Sequence, residues 1–256
     1  GTPIANSPSQ EPRTGDLTQV FPVTYIGPAD NGWRLVTELH MVDAQDQADV
    51  AAVREFLTGQ PADPDYRTGW PTLLDVESVT RADGQVLVSL TGPAGALSAD
   101  PALPAKARDM AVQALLRTAG ARVGEQAGFT FNGEPLTSVL GVDLPVTVAS
   151  DEDVRAFISL PRIVDGAPYA DAHDDAPVKV EVSGNVFEGT VNWELHDSNG
   201  EIIDEGFVTT AFMEWRSATI NLGRLEPGTY TLQAFEVSME DGSRLMTEDK
   251  TFEIVP

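Results

Sequence analysis

The final stretch of this chain, residues 157–256, contains no helical period. Apolar residues recur there at spacing two, in short runs: FISLP, VKVEVSG, TVNWELHD, EIIDEGFVTT, SATINLG, TYTLQAFEV and MTEDKTFEIV. Ser198-Asn199-Gly200, Glu226-Pro227-Gly228 and Asp241-Gly242 punctuate them. Period two belongs to strands with one buried face, and runs of this length and spacing predict an all-β immunoglobulin-like sandwich. In TVNWELHD the alternation puts Val191, Trp193 and Leu195 on the core face. It puts Thr190, Asn192, Glu194 and His196 outside. The acidic stretch FEGTVNWELHDSNGEIIDEG (187–206) therefore reads as a hairpin turning at Asn199-Gly200, with its carboxylates on the turn and the outward face. A carboxylate site is the less favoured reading.

The first half has a different grammar. VFPVTYIG (20–27) and WRLVTELHMV (33–42) flank the turn PADNG and predict a hairpin. In DQADVAAVREFLTGQP (46–61), Val50, Val53, Phe56 and Leu57 recur at helical spacing. Asp46 or Asp49 suits the start, and Gly59 and Pro61 the stop. LLDVESVTRADGQVLVSL (73–90) reads as two strands around Asp83-Gly84, and 91–104 as a loop. PAKARDMAVQALLRTAGA (104–121) is a second helix, with Pro104 in its first turn, Gly120 at its end, and Met110, Ala111, Ala114, Leu115 and Thr118 on one face. GFTFNGEPL (128–136) is a further strand. The order β-β-α-β-β-α-β predicts an α+β domain, one sheet with two helices, over 19–145. Residues 146–156 read as the junction, 157–256 as the sandwich, and 1–18, rich in Pro, Ser and Thr, as a flexible tether. A chain trimmed behind a signal peptide or a lipid-modified cysteine begins this way, and so does an arbitrary truncation.

Composition narrows the partners. The 256 residues carry 40 acidic and 16 basic side chains, a formal net charge of −24. Such a charge repels nucleic acid and anionic lipid, so neither is expected as a direct partner. Membrane contact is expected only through an N-terminal lipid anchor. Most of the acidity reads as a solvated surface. The sequence has no cysteine, which excludes disulfides, thiolate metal sites and a cysteine nucleophile. It has no apolar run of the ~18 residues that a membrane-spanning helix needs. Its basic residues are mostly Arg, and Ala and Val are abundant, as in proteins of GC-rich bacterial genomes.

Few motifs point to chemistry. His40, His173 and His196 are far apart and sit in no HExxH. Asp171, Asp174 and Asp175 in YADAHDDAP are the candidate ligands for a hard cation such as calcium. The run lacks the spacing of an EF-hand loop, and a solvated loop is the simpler reading. TGPAGAL lacks the G-K-[ST] of a phosphate loop, and GxGxxG and GxSxG are absent. Many carboxylates are present, but nothing selects an acid/base pair. Trp33, Tyr66, Trp70, Tyr169 and Trp215 flank turns or strand ends, and the first four are the candidate binding residues. The competing reading is that they cap the core. The loop DYRTGWP and the domain junction are the first places to look.

Two resemblances follow from quoted residues. VSGNVFEGTVNWELHDSNGEIIDEGF (182–207) and LEPGTYTLQAFEVSMEDGS (225–243) resemble the immunoglobulin-like domain of bacterial spore germination, Gmad2, over 178–256. FLTGQP, TGWP, LLDVESVTRADGQVLVSL, LLRTAGA and FTFNGEPL, in that order, resemble the GerMN domain over 20–136. The pair implies an extracytoplasmic protein, lipoprotein in type, at the outer face of the cytoplasmic membrane of a Gram-positive or actinobacterial cell. It supplies no catalytic residue. The expected function is non-catalytic binding of an envelope protein or a cell-wall component. The alternatives are a peptidoglycan- or carbohydrate-processing enzyme and a structural spacer. No cofactor is implied beyond calcium at the aspartates.

Overall fold

Alternating β-branched and aromatic residues make the first element. β1 (Thr18–Ala29) pairs antiparallel with β2 (Gly32–Asp43) along its whole length, Thr18 opposite Asp43 and Ala29 opposite Gly32. The computed structural model describes residues 18–30, 32–43, 47–98, 100–172 and 176–256. Apart from Thr18, the tether read over 1–18 lies outside them, as does Asp46. α1 (Ala48–Thr58) buries Val50, Val53, Phe56 and Leu57, the four residues read from spacing. Phe56 stacks on Tyr25 of the hairpin at 5.7 Å between centroids. Asp49 lies in the first turn, where the helix dipole favours an anion, and pairs with Arg81 at 3.0 Å.

β3 (Asp75–Ala82) and β4 (Gln85–Thr91) turn at Asp83 and Gly84, whose φ values of 52 and 73° are those a tight two-residue hairpin turn requires. α2 (Ala105–Thr118) then crosses over, so that β5 (Gln126–Phe131) lies parallel to β4. β6 (Glu134–Pro135) turns back on β5. β7 (Ser138–Val139) and β8 (Val142–Asp143) pair with each other, and β9 (Val146–Thr147) returns to β5.

The strand order corrects one expectation. The sequence predicts a single sheet in this half, whereas hairpin β1-β2 forms no ladder with sheet β3-β4-β5-β6 among the described residues. The helices join them. α2 buries Ala107, Ala111, Val112, Ala114, Leu115 and Leu116, which lie around most of its circumference. An apolar face that wide needs cover from more than one neighbour. Thr118 ties it to the hairpin: its Oγ1 accepts the Thr24 N–H at 2.9 Å and donates to Ala114 O at 2.9 Å. One continuous core runs from Val23 to Val154.

After α3 (Asp151–Val154) the chain is all β: β10 (Ile158–Ser159), β11 (Ala167–Pro168), β12 (Val178–Gly184), β13 (Thr190–His196), β14 (Ile202–Thr209), β15 (Arg216–Gly223), β16 (Gly228–Val237) and β17 (Arg244–Ile254). Sheets β10-β12-β15 and β11-β17-β16-β13-β14 face each other across Val180, Val182, Trp193, Leu195, Leu232 and Phe252. All seven quoted runs supply strands. Val191, Trp193 and Leu195 point inward as the alternation requires. Glu194 faces outward yet is buried, because Arg244 closes over it at 2.5 and 3.0 Å while lying 4.2 Å above the Phe235 ring.

Between the cores the chain is bonded on both sides. Val154 packs in the first core and Ile158 in the second. The Ala156 N–H donates to Leu35 O at 3.0 Å, and Phe157 O accepts the Asn185 N–H at 2.8 Å.

Candidate functional site

The loop after α1 carries Asp63, Asp65 and Tyr66 against β17. There Lys250, 1% exposed, points its Nζ at Asp63 Oδ2 (2.6 Å), with Glu248 Oε1 at 3.4 Å and Asp65 Oδ2 at 3.9 Å. The ammonium lies 4.4 Å from the centre of the Tyr66 ring. Asp63 also accepts the N–H of Asp65 (3.0 Å) and of Asp165 (3.1 Å), and Asp165 Oδ1 accepts the Thr251 N–H (2.7 Å). Behind the loop, the two Glu38 oxygens accept the N–H groups of Ala62 and Asp63 at 2.9 and 2.8 Å. His40 lies between Glu38 (2.7 Å) and Glu55 (2.8 Å). Polar contacts thus run from α1 through β2 and the loop into the sandwich. A buried charge needs such company, since the interior strengthens satisfied contacts and penalises unsatisfied ones.

The same arrangement sets the protonation states. Burial pulls the Lys250 ammonium down, but Glu248 and Asp63 outweigh it and hold the pKa above its ordinary value. Burial lifts the Glu248 carboxyl to about 7, against the pull of Lys250. Burial also disfavours a charged His40, yet Glu55 and Glu38 raise its pKa above the usual histidine value.

Glu248 predicts a pH dependence. The folded state holds its proton more tightly than the unfolded chain, whose ordinary value is 4.5. Stability from this group is therefore full below about pH 4.5 and falls as pH rises toward 7. His40 acts in the same direction, losing its contribution as pH rises through its raised pKa. The expected result is a melting temperature that declines between about pH 5 and 7, with a shallower decline in Glu248→Gln. Identical slopes for the two proteins would remove Glu248 from this role.

Beside the cluster opens a cleft of about 470 Å³ walled by both domains: Trp33 and Arg34 from β2, Met110 from α2, Phe157 from the start of the sandwich, and Met246 and Glu248 from β17. Arg34 lies 4.5 Å above the Phe157 ring and donates to Glu152 O (3.0 Å) and Arg155 O (3.2 Å). Phe157 stacks on Trp215, whose Nε1 donates to Ala156 O at 3.1 Å. Arg67 lies 4.5 Å over Trp33. Apolar walls with a few fixed polar groups are the usual make-up of a ligand site, and domain junctions are a usual place for one.

Of the aromatics singled out in the sequence, Trp33 lines the cleft and Tyr66 lies over Lys250 in the ion cluster. Trp70 and Tyr169 do neither. Trp70 lies in the first core, with its Nε1 donating to Ala111 O at 2.8 Å and its ring 5.7 Å from Phe129. Tyr169 lies in the second core, its hydroxyl donating to Lys179 O at 2.7 Å. Each ring fills a core and its polar atom is satisfied internally, which replaces the surface role read from the sequence. Asp171 is held by Arg162 through both oxygens, at 2.9 and 3.0 Å. Asp174 and Asp175 lie outside the described residues, as does His173. Among the described residues no group of three His, Asp or Glu side chains is arranged to hold a metal ion.

The ion cluster was missed in the sequence, though one signal for it exists. In TEDKTFEIV, Glu248 and Lys250 share parity with Phe252 and Ile254, so period two already places them on the inward face.

Residues 164–243 match the family described as the immunoglobulin-like domain of bacterial spore germination, Gmad2. The C-terminal resemblance is thereby met. A similar solved structure is that of the tandem GerMN domains of the sporulation protein GerM from Bacillus subtilis, with 13% identity and a TM-score of 0.39. The likeness covers 80% of this chain and 61% of that one, so this chain spans less than two thirds of that structure's length. No curated protein matches. Among the described residues no helix is long and apolar enough to cross a membrane.

Proposed function

We propose that this is a non-catalytic, extracytoplasmic envelope protein, a GerMN-like domain joined to the Gmad2 sandwich, that binds a protein or cell-wall partner in the cleft between them. The observation that carries the reading is the cleft itself. Both domains supply its walls, Trp33 and Phe157 line it, and a buried ion cluster fixes the domains on either side. A rigid, aromatic-lined site binds without the entropic cost of ordering it first.

The test is a pull-down with isolated peptidoglycan sacculi and mass analysis of the supernatant. Retention without released fragments is expected, weakened about tenfold by Trp33→Ala. Loss of retention would move the search to envelope proteins. One observation favours a second reading, an enzyme acting on the wall: Glu248 lines the cleft with a carboxyl lifted to about 7, a value suited to a general acid. Released fragments that vanish in Glu248→Gln would establish that reading in place of the first.

A further inference from the structure

A second concave surface lies on the sandwich, between the FEG bend and the β16–β17 turn. Its cavity, about 460 Å³, is lined by Phe187, Glu188, Glu236, Met239, Glu240 and Leu245 among others, and shares no residue with the junction cleft. Phe187 is 56% exposed and Met239 74%. Phe187 also touches Phe212, 61% exposed, at 5.6 Å between ring centroids. Two phenylalanines and a methionine facing water together form an apolar surface of the kind that marks an interaction site.

The backbone is shaped to present them. Val186 bridges to Phe212, and Gly189 O accepts the Thr210 N–H at 2.7 Å. Gly189 has φ +66°, and a Cβ there would lie 2.9 Å from the Ala211 carbonyl carbon, so the bend requires glycine. At the floor, Glu236 is only 7% exposed. The Phe187 backbone and the Glu188 carboxylate are its polar neighbours. The described lining holds three glutamates and no lysine or arginine.

Charge then selects the occupant. A second copy would bring the same glutamates, on a chain of net charge −24, against themselves. An anionic lipid surface would be repelled in the same way. A segment carrying apolar side chains and a cation satisfies both the rings and the buried carboxylate.

We propose that this groove docks a basic, amphipathic segment of a protein partner, with apolar side chains against Phe187, Met239 and Leu245 and a lysine or arginine directed at Glu236. The proposal does not rest on the junction cleft. The test is binding of a labelled peptide of alternating leucine and lysine at physiological ionic strength, read by fluorescence anisotropy. Saturable binding is expected, weakened about tenfold by Phe187→Ser and by Glu236→Gln, with an all-lysine peptide binding more weakly. Phe187 is exposed and glutamine keeps the shape of Glu236, so both variants should retain the wild-type melting temperature. Absence of binding, unchanged affinity in both variants, or equal binding of the all-lysine peptide would overturn the proposal. So would a concentration-dependent dimer, or capture by anionic vesicles, that Phe212→Ser abolishes. Those two results would assign the surface to a second copy or to lipid.

Discussion

Asp63→Ala is expected to destabilise the protein by about 3–5 kcal/mol, measured as a shift in the urea midpoint at unchanged slope. The substitution leaves the Lys250 ammonium 1% exposed, with its 2.6 Å partner gone. It also removes the acceptor of the Asp165 and Asp65 N–H groups. Glu248 and Asp65 remain at 3.4 and 3.9 Å, but a buried ammonium stripped of its nearest carboxylate still costs far more than the net worth of the pair. Lys250→Met in the Asp63→Ala background is therefore expected to recover part of the loss, since it removes the stranded charge. A loss below about 1 kcal/mol for Asp63→Ala would mean that water reaches the ammonium and that the junction is looser than the distances indicate.

Trp193→Ala is expected to cost a similar amount, about 3–5 kcal/mol, as a large-to-small change in a packed core. Trp193 is buried between the sheets, opposite Gly206 on β14. A Cβ at Gly206 would lie 2.9 Å from the indole, so the strand is fitted to the ring and has no side chain there to fill the space that alanine leaves. A melting temperature unchanged from wild type would remove Trp193 from the core. With total stabilities of ~5–15 kcal/mol, either substitution alone takes a large share of the whole.

Local pattern made much of this fold legible. Val50, Val53, Phe56 and Leu57 mark one helix face because helical spacing is a local property. The sandwich strands show in the alternation of runs such as TVNWELHD, and Asp83-Gly84 names its own turn. The two separate sheets of the first domain were not legible. Reading α2 with a narrow apolar face hid that Val112 and Leu116 widen it, and a helix with so wide a face serves two neighbours. The ion cluster was legible only in the parity of Glu248 and Lys250. Trp33 and Tyr66 stood out as aromatics beside turns, but Asp63 in DPDYRTGW looks like any turn aspartate. Its partner is 187 residues away, and a pair at that separation leaves no period in either segment. Trp70 and Tyr169 show the converse: a turn-flanking aromatic has the same local signature whether its ring faces water or a core.

The bonded stretch around Ala156 has a mechanical consequence. Val154 belongs to one core and Ile158 to the other, and the residues between them are hydrogen-bonded to Leu35 and Asn185. No length of slack chain is left there to swivel, and hinge motion needs such residues to absorb a change in backbone angles. The two cores are thus tied at two places, around Ala156 and through Asp63 and Lys250. The family match ends at residue 243, one residue before β17 begins, so the lysine that closes the second tie lies beyond it.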